Sequence, residues 1–291
     1  MTSSIHARSK PFLAALAIAL ASCDLGDLPD LGPGRTEEDP LEAVFIDVGQ
    51  GDSALFTLPD GAVVLVDGGD EGAGLLAVLP VLDERGIGAI DLLVLTHPHA
   101  DHCGGLDEVL QRVAVDEIWE NGETADTPAY EDFAAARDAS GARVAQPKVG
   151  ESRVFGDVSL EVLATASGFP GQNNDSIVLA LRYGDVGFLL AGDAEAEEQR
   201  DLLSAHGGDL GADVLKVPHH GSSNFDPGFP RAVSPRFGVI SCGADNEYGH
   251  PTSEALAAYG SLGATVCRTD VLGDVAFRTD GADLESSCAG L

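Results

Sequence analysis

Thr96-His97-Pro98-His99-Ala100-Asp101-His102 is the stretch on which the fold turns. It leaves the largely apolar run Ile90–Thr96 and enters a helix start at Gly104-Gly105. A short apolar run bounded by turn residues reads as a buried strand. His97 and His99 stand two apart, so an extended chain points both imidazoles to the same side. Asp101 and His102 follow where the chain turns. Imidazoles and a carboxylate gathered around one point are what a zinc-type site requires. A chance surface cluster is a poor alternative, because the 291 residues hold only eight histidines.

Further donors lie downstream, each at the end of an apolar run. Leu189-Leu190-Ala191-Gly192 ends at Asp193, and Val214-Leu215-Lys216-Val217-Pro218 ends at His219-His220-Gly221-Ser222. A Gly-Asp turn or a His-His pair is weak evidence alone. Their value comes from strands that can lie beside the first cluster. The combined inventory suffices for two metals, and Asp193, with two oxygens to share, suits a bridge. Lys216 sits within a strand, which favours a structural role over countering a phosphate. Asp47, Asp52 and Asp67 read as turn and hydrogen-bonding groups, with Asp67 placed to support a ligating histidine.

Strand and helix signals alternate along the rest of the chain. Strands are expected at 43–48, 53–58, 62–66, 90–96, 158–163, 177–183, 187–190, 214–217, 237–241, 265–268 and 275–277. Helices are expected at 72–85, 104–113, 130–138, 194–206 and 252–259. Hairpin-like strands in both halves, each half with helices, predict an α/β domain of two face-to-face sheets with helices outside. No fixed repeat and no second linker interrupts it, so residues 42–291 read as one domain. Trp119 and Tyr130 flank an acidic stretch, Glu117 to Asp132, expected to cover the helix layer.

Residues 1–22 read as a secretory signal: His6, Arg8 and Lys10, then the apolar run Pro11 to Ala21. Leu20-Ala21-Ser22-Cys23 resembles a bacterial lipobox, which makes Cys23 the lipidated first residue and the membrane contact a lipid one. Residues 23–41, rich in Asp, Pro and Gly, read as a tether. The other four cysteines, Cys103, Cys242, Cys267 and Cys288, are an even number that an oxidising compartment can pair. A Cys267–Cys288 bridge would tie the tail to the last strand, and Cys103, after the histidine motif, can remain free. The formal charge is −32, from 16 Lys+Arg against 48 Asp+Glu. That balance disfavours a basic-groove nucleic-acid binder.

Several stretches resemble the metallo-β-lactamase fold superfamily, in particular the hydrolase domain of ComEC-type DNA-uptake proteins. They are Phe45-Ile46-Asp47-Val48-Gly49-Gln50-Gly51-Asp52-Ser53, Leu65-Val66-Asp67-Gly68-Gly69, Thr96–Gly105, Asn173–Leu179, Leu189–Glu195, Leu215–Ser222 and Tyr248-Gly249-His250-Pro251. The resemblance implies a four-layer αββα sandwich and two divalent cations, zinc or manganese. It implies His97, His99, Asp101, His102 and Asp193 as ligands, joined by His219, with His220 behind it as a substrate or supporting group. Many superfamily members carry a further ligating histidine between the first cluster and the Gly-Asp. Here that stretch is Asn173–Ser176, and Asn173, Asn174 and Ser176, with Ser222, are expected to meet substrate.

The implied activity is an exported hydrolase that uses a metal-activated hydroxide, with Asp101 orienting it and His250, or else His220, as general acid. Phosphodiesters are the first substrate class, DNA among them but disfavoured by the charge. Another ester, a thioester, a lactone or a β-lactam is the alternative, and a non-catalytic surface-binding protein the third reading.

Overall fold

The computed structural model describes residues 39–166, 168 and 172–288. The expected signal, Cys23 and nearly all of the tether lie outside these residues.

Two sheets form the centre. The first has the order β15-β14-β1-β2-β3-β4-β5-β6. Its strands are β1 (Leu41–Phe45), β2 (Ala54–Thr57), β3 (Val63–Val66), β4 (Ala89–Leu95), β5 (Ala114–Glu120), β6 (Arg143–Ala145), β14 (Val275–Thr279) and β15 (Leu284–Ser286). The second has the order β13-β12-β11-β10-β9-β8-β7. It is built from β7 (Ser152–Phe155), β8 (Val158–Ala164), β9 (Val178–Tyr183), β10 (Val186–Leu190), β11 (Val214–Lys216), β12 (Phe237–Ile240) and β13 (Thr265–Arg268). Leu41, placed at the end of the tether by sequence, is fully buried as the first residue of β1.

Each sheet changes character part-way. Pairing is antiparallel from β15 to β3 and parallel from β3 to β6. In the second sheet it is antiparallel from β7 to β10 and parallel from β10 to β13. Parallel strands need crossovers, and helices supply them. On the first sheet these include α1 (Leu79–Glu84), α2 (Ala100–Cys103), α3 (Leu106–Leu110) and α4 (Pro128–Ser140). On the second they are α5 (Ala196–His206), α6 (Gly228–Val233) and α7 (Ser253–Gly260), with the short α8 (Thr269–Leu272) near the domain edge.

Three apolar clusters separate the four layers. The central one packs Phe45, Phe56, Phe188, Phe277 and Trp119 between the sheets. Phe56 and Phe188 meet edge to face at 5.6 Å, a contact worth about 0.5–1.5 kcal/mol beyond its area. The outer clusters seat α1, α3 and α4 on one sheet and α5, α6 and α7 on the other. The expected αββα sandwich is what the chain forms.

The sandwich edges are held differently. Cys267 in β13 is bridged to Cys288 just after β15, joining the two sheets at one edge. At the other edge Glu117 on β5 pairs with Arg143 on β6 and with Arg153 on β7, 2.8 Å away. Arg153 also lies over the Trp119 ring. The acidic stretch expected to cover the helices therefore begins as a core strand. Its charged residues resembled a loop because the arginines that neutralise them come from elsewhere in the chain.

Candidate metal centre

The site lies where the parallel strands of both sheets end. Asp67 follows β3, the His97–His102 segment follows β4, Asp193 follows β10 and the His219-His220 pair follows β11. Brackets around the first segment are tight. The Asp52 amide donates to the Asp101 carbonyl. A side chain at Gly51, where φ is +128°, would collide with that carbonyl. In the second sheet His219 and His220 both adopt left-handed backbone, with φ of 48° and 52°. Such conformations cost about 1–3 kcal/mol each in residues other than glycine and concentrate at functional sites.

One donor group is complete. Asp101, His102, Asp193 and His220 each offer an atom within 4.8 Å of the others. His220 Nε2 lies 3.1 Å from Asp101 Oδ2 and 3.5 Å from Asp193 Oδ1, and His102 Nε2 lies 3.4 Å from Asp193 Oδ1. A tetrahedral zinc with bonds of about 2.0–2.1 Å separates its donors by roughly 3.3 Å. His102 Nε2 and Asp193 Oδ1 are buried and make no hydrogen bond among the described residues. Buried polar atoms without a partner are costly, and a cation would satisfy both. The residues present therefore fit a divalent metal.

The other oxygen of Asp193 faces different nitrogens. His97 Nε2 is 3.9 Å and His219 Nε2 is 3.8 Å from Oδ2. His97 Nε2 is also 3.1 Å from His99 Nδ1. Asp193 thus stands between two donor sets. His220 occupies the four-donor group, while His219, the ligand expected from sequence, faces the other Asp193 oxygen. The left-handed turn at both residues, invisible to local pattern, swings His220 inward.

Carboxylates behind the histidines set their orientation. Asp67 Oδ2 accepts from His102 Nδ1 at 2.8 Å, while the Thr96 amide and hydroxyl donate to Asp67 at 2.8 Å each. His220 Nδ1 donates to the Ser241 carbonyl at 3.0 Å and faces Asp52 Oδ1 at 3.2 Å. Asp52 in turn pairs with buried Lys216, Nζ to Oδ2 2.6 Å. Each arrangement gives Nδ1 a partner that keeps it protonated and aims Nε2 at the site.

The charges compensate one another. Burial opposes the charged form of His102, but Asp193, Asp67 and Asp101 outweigh it and hold the imidazolium well above its usual range. For His220 burial is likewise outweighed, by Asp193 and Asp52. His97 is pushed well down by burial and by His102, so it is neutral. Asp193 stays ionised against burial because of His220 and His102.

A cleft of about 360 Å³ opens over the group, lined by Gln50, His99, Asp101, Asn173, His219 and Tyr248 among others. His250 lines it too. Burial first, then His219 and His220, press the His250 imidazole down to about 4. Six of the seven described histidines converge here; His206 instead meets the Leu163 carbonyl.

The expected substrate contacts divide. Asn173 lines the cleft. Asn174 is buried, and its oxygen accepts from the amides of Glu195 and Glu198 at the start of α5. Ser176, fully buried, accepts from the Asp193 amide and lies 3.5 Å from His97. Ser222 Oγ accepts from the Asn224 amide within its own turn. Asn174, Ser176 and Ser222 thus shape the site from behind or beside it. Reasoning from sequence missed Gln50, Tyr248, and Glu195, whose Oε1 lies 3.2 Å from His219 Nδ1. All three fall inside the stretches that carried the resemblance, Glu195 as the last residue of Leu189–Glu195.

Comparison with known proteins agrees with this architecture. The metallo-beta-lactamase superfamily model matches residues 46–225, and the chain belongs to that superfamily. It is 29% identical over 255 residues to ComE operon protein 3 of Bacillus subtilis, covering 81% of this chain and 33% of that protein. Competence protein ComA of Neisseria gonorrhoeae is 31% identical over 248 residues, 84% of this chain and 33% of the relative. The chain therefore spans about a third of the length of these relatives. Among solved structures, the metallo-beta-lactamase fold protein YhfI of Bacillus subtilis superposes with a TM-score of 0.53 at 13% identity, covering 86% of this chain and all of that one. The branch seen in the sequence motifs is the branch of these relatives. Among the described residues no helix is long and apolar enough to cross a membrane.

Proposed function

We propose that this chain is an exported phosphodiesterase whose site would hold two divalent cations, zinc or manganese, with Asp193 among the residues offered to both. The observation that carries the reading is the placement of the two Asp193 oxygens against separate donor sets. His97, His99 and His219 would hold one cation, and Asp101, His102 and His220 the other. Such a pair, when bound, lowers the pKa of a shared water and offsets negative charge developing on a phosphorus or carbonyl centre.

The chain's own groups do the rest. Asp67 and Asp52 hold the tautomers of His102 and His220. Asp101, at the cleft, orients the nucleophile. His250 is neutral at neutral pH, so it serves as a hydrogen-bonding group toward a substrate oxygen rather than as an imidazolium acid. His220 has Nδ1 on the Ser241 carbonyl and Nε2 in the four-donor group, which leaves neither nitrogen for a leaving group.

A phosphodiester carries one negative charge, which two cations can offset. Among the described residues no Lys or Arg lines the cleft. That feature and the charge of −32 weigh against long DNA and favour a small substrate. They also keep a second reading open: hydrolysis of an uncharged ester, thioester, lactone or β-lactam. Export rests on the N-terminal sequence and is supported by the disulfide, since such bonds persist in oxidising compartments; the lipid at Cys23 rests on the sequence alone.

The test uses residues 24–291. Metal content is measured, and bis-p-nitrophenyl phosphate and single- and double-stranded DNA are assayed beside Asp101→Ala. Two metals per chain, with turnover of the small diester lost in the variant, is the expected result. Bound metal with carboxyl-ester or lactam turnover alone moves the assignment to the second reading. No metal and no turnover leaves a binding protein.

A further inference from the structure

Tyr248 is the one large hydrophobic side chain both strongly exposed and on the cleft wall among the described residues: it is 70% exposed. Monomeric surfaces carry scattered apolar residues, but an aromatic ring held open at a cleft mouth is a binding feature. Its ring lies nearly parallel to that of His250, at 22° and 5.9 Å. His250 in turn stacks toward His220 at 6.2 Å. Tyr248 therefore stands up to two ring spacings from His220 of the candidate metal centre, at the outer end of the cleft.

The loop that presents the ring is braced. Asn246 Nδ2 donates to the Gly243 and His250 carbonyls at 2.7 and 2.6 Å, and its Oδ1 accepts from the His250 amide at 3.0 Å. A platform fixed before binding costs less ordering when the ligand arrives. Around it the cleft offers imidazoles, the amides of Gln50 and Asn173, the metal-facing carboxylates Asp101 and Asp193, and no Lys or Arg among the described residues. This chemistry suits a flat ring beside a single phosphodiester, and it does not suit a clustered polyphosphate.

We propose that Tyr248 is a specificity-determining stacking platform, and that the substrate is a short nucleotidyl phosphodiester whose base lies on it. The inference rests on the phosphodiesterase reading above. One base–aromatic stack contributes about tenfold or more.

The metal-loaded protein is assayed with two esters that share a leaving group: thymidine 5′-(p-nitrophenyl phosphate) and methyl p-nitrophenyl phosphate. The nucleoside ester is expected to lead in kcat/KM by about tenfold or more, chiefly through KM. That ratio collapses in Tyr248→Ala and persists in Tyr248→Phe and Tyr248→Trp. No nucleoside advantage, or the same ratio in Tyr248→Ala as in the parent, overturns the platform and leaves the phosphodiesterase standing. Turnover of neither ester sinks the phosphodiesterase reading. The platform is then decided by saturation-transfer NMR with the dinucleotide TpT. Base contacts seen with the parent and lost in Tyr248→Ala uphold it; absent or equal contacts overturn it.

Discussion

The two sheets contribute to the candidate centre in opposite ways. The first supplies His97, His99, Asp101 and His102 from one turn after β4, six consecutive residues with ordinary backbone. The second supplies Asp193 from β10 and His219 and His220 from β11, with both histidines in left-handed conformation. A contiguous motif needs only one strand end. Dispersed donors need the parallel pairing of β10 with β11 to bring them together, and strained backbone to aim them. The second half therefore depends on tertiary structure far more than the first, and Asp193 is the joint between them.

The comparison breaks most visibly at Asp193. Asp193→Ala removes a donor from both sets, so metal content should fall below one per chain and turnover should drop to background. Retention of two tightly bound metals, read by elemental analysis, would contradict the bridging role.

The supports behind the histidines sharpen it next. Asp67 backs His102 in the first half, and Asp52 backs His220 in the second. Asp67→Asn and Asp52→Asn should each weaken one metal position by about 10–100-fold, measured by competition with a chelator. Asp52→Asn also strands buried Lys216, which costs stability because an unpaired charge stays in the interior. Thermal melts beside Lys216→Met/Asp52→Asn separate that loss from the effect on metal. Equal affinity in parent and variants would show that these carboxylates do not position the ligands.

The bridge joining the two sheets, Cys267–Cys288, closes a loop 21 residues apart in sequence. Replacing both with Ser should cost ~3 kcal/mol of stability and lower Tm by about 6–12 °C. Metal stoichiometry should hold, since the bridge lies away from the donors; loss of metal would mean that the sheets' relative placement depends on it.

The smallest effect concerns Glu198 on α5. It is buried, neither carboxyl oxygen has a hydrogen-bond partner among the described residues, and burial, with Asp175 and Asp201, raises its pKa well above the ordinary value. The folded chain keeps this proton while the unfolded chain releases it near pH 4.5. Stability contributed by the group is thus fully present below that pH and falls as pH rises toward the folded pKa. Glu198→Gln should flatten this slope, so Tm measured from pH 5 to 8 declines less than in the parent. An unaltered slope would place Glu198 outside the pH response.

Legibility followed the same division. The His97–His102 motif, the strands on either side of the turns, and the four-layer class were readable because their signals are local: spacing, apolar runs and Gly-rich turns. Asp193 was readable as the end of a strand. The order of His219 and His220 was not, because it depends on two left-handed residues. β5 was obscured because Glu117 and Glu120 look solvated until Arg143, Arg153 and Arg137 are placed beside them. Asn174, Ser176 and Ser222 looked available to substrate, yet each spends its side chain on neighbouring backbone.

By itself the sequence determined the ligand types, the motif in which four of them sit, and the alternation that makes two sheets with helices outside. These follow from residue chemistry and short-range geometry. Tertiary structure alone decided which histidine of the pair enters the four-donor group, that the two Asp193 oxygens face opposite sets, and that Tyr248 stands at the mouth of the cleft. Those outcomes depend on contacts between residues far apart in sequence, such as Asp101 with His220, and no local pattern encodes them.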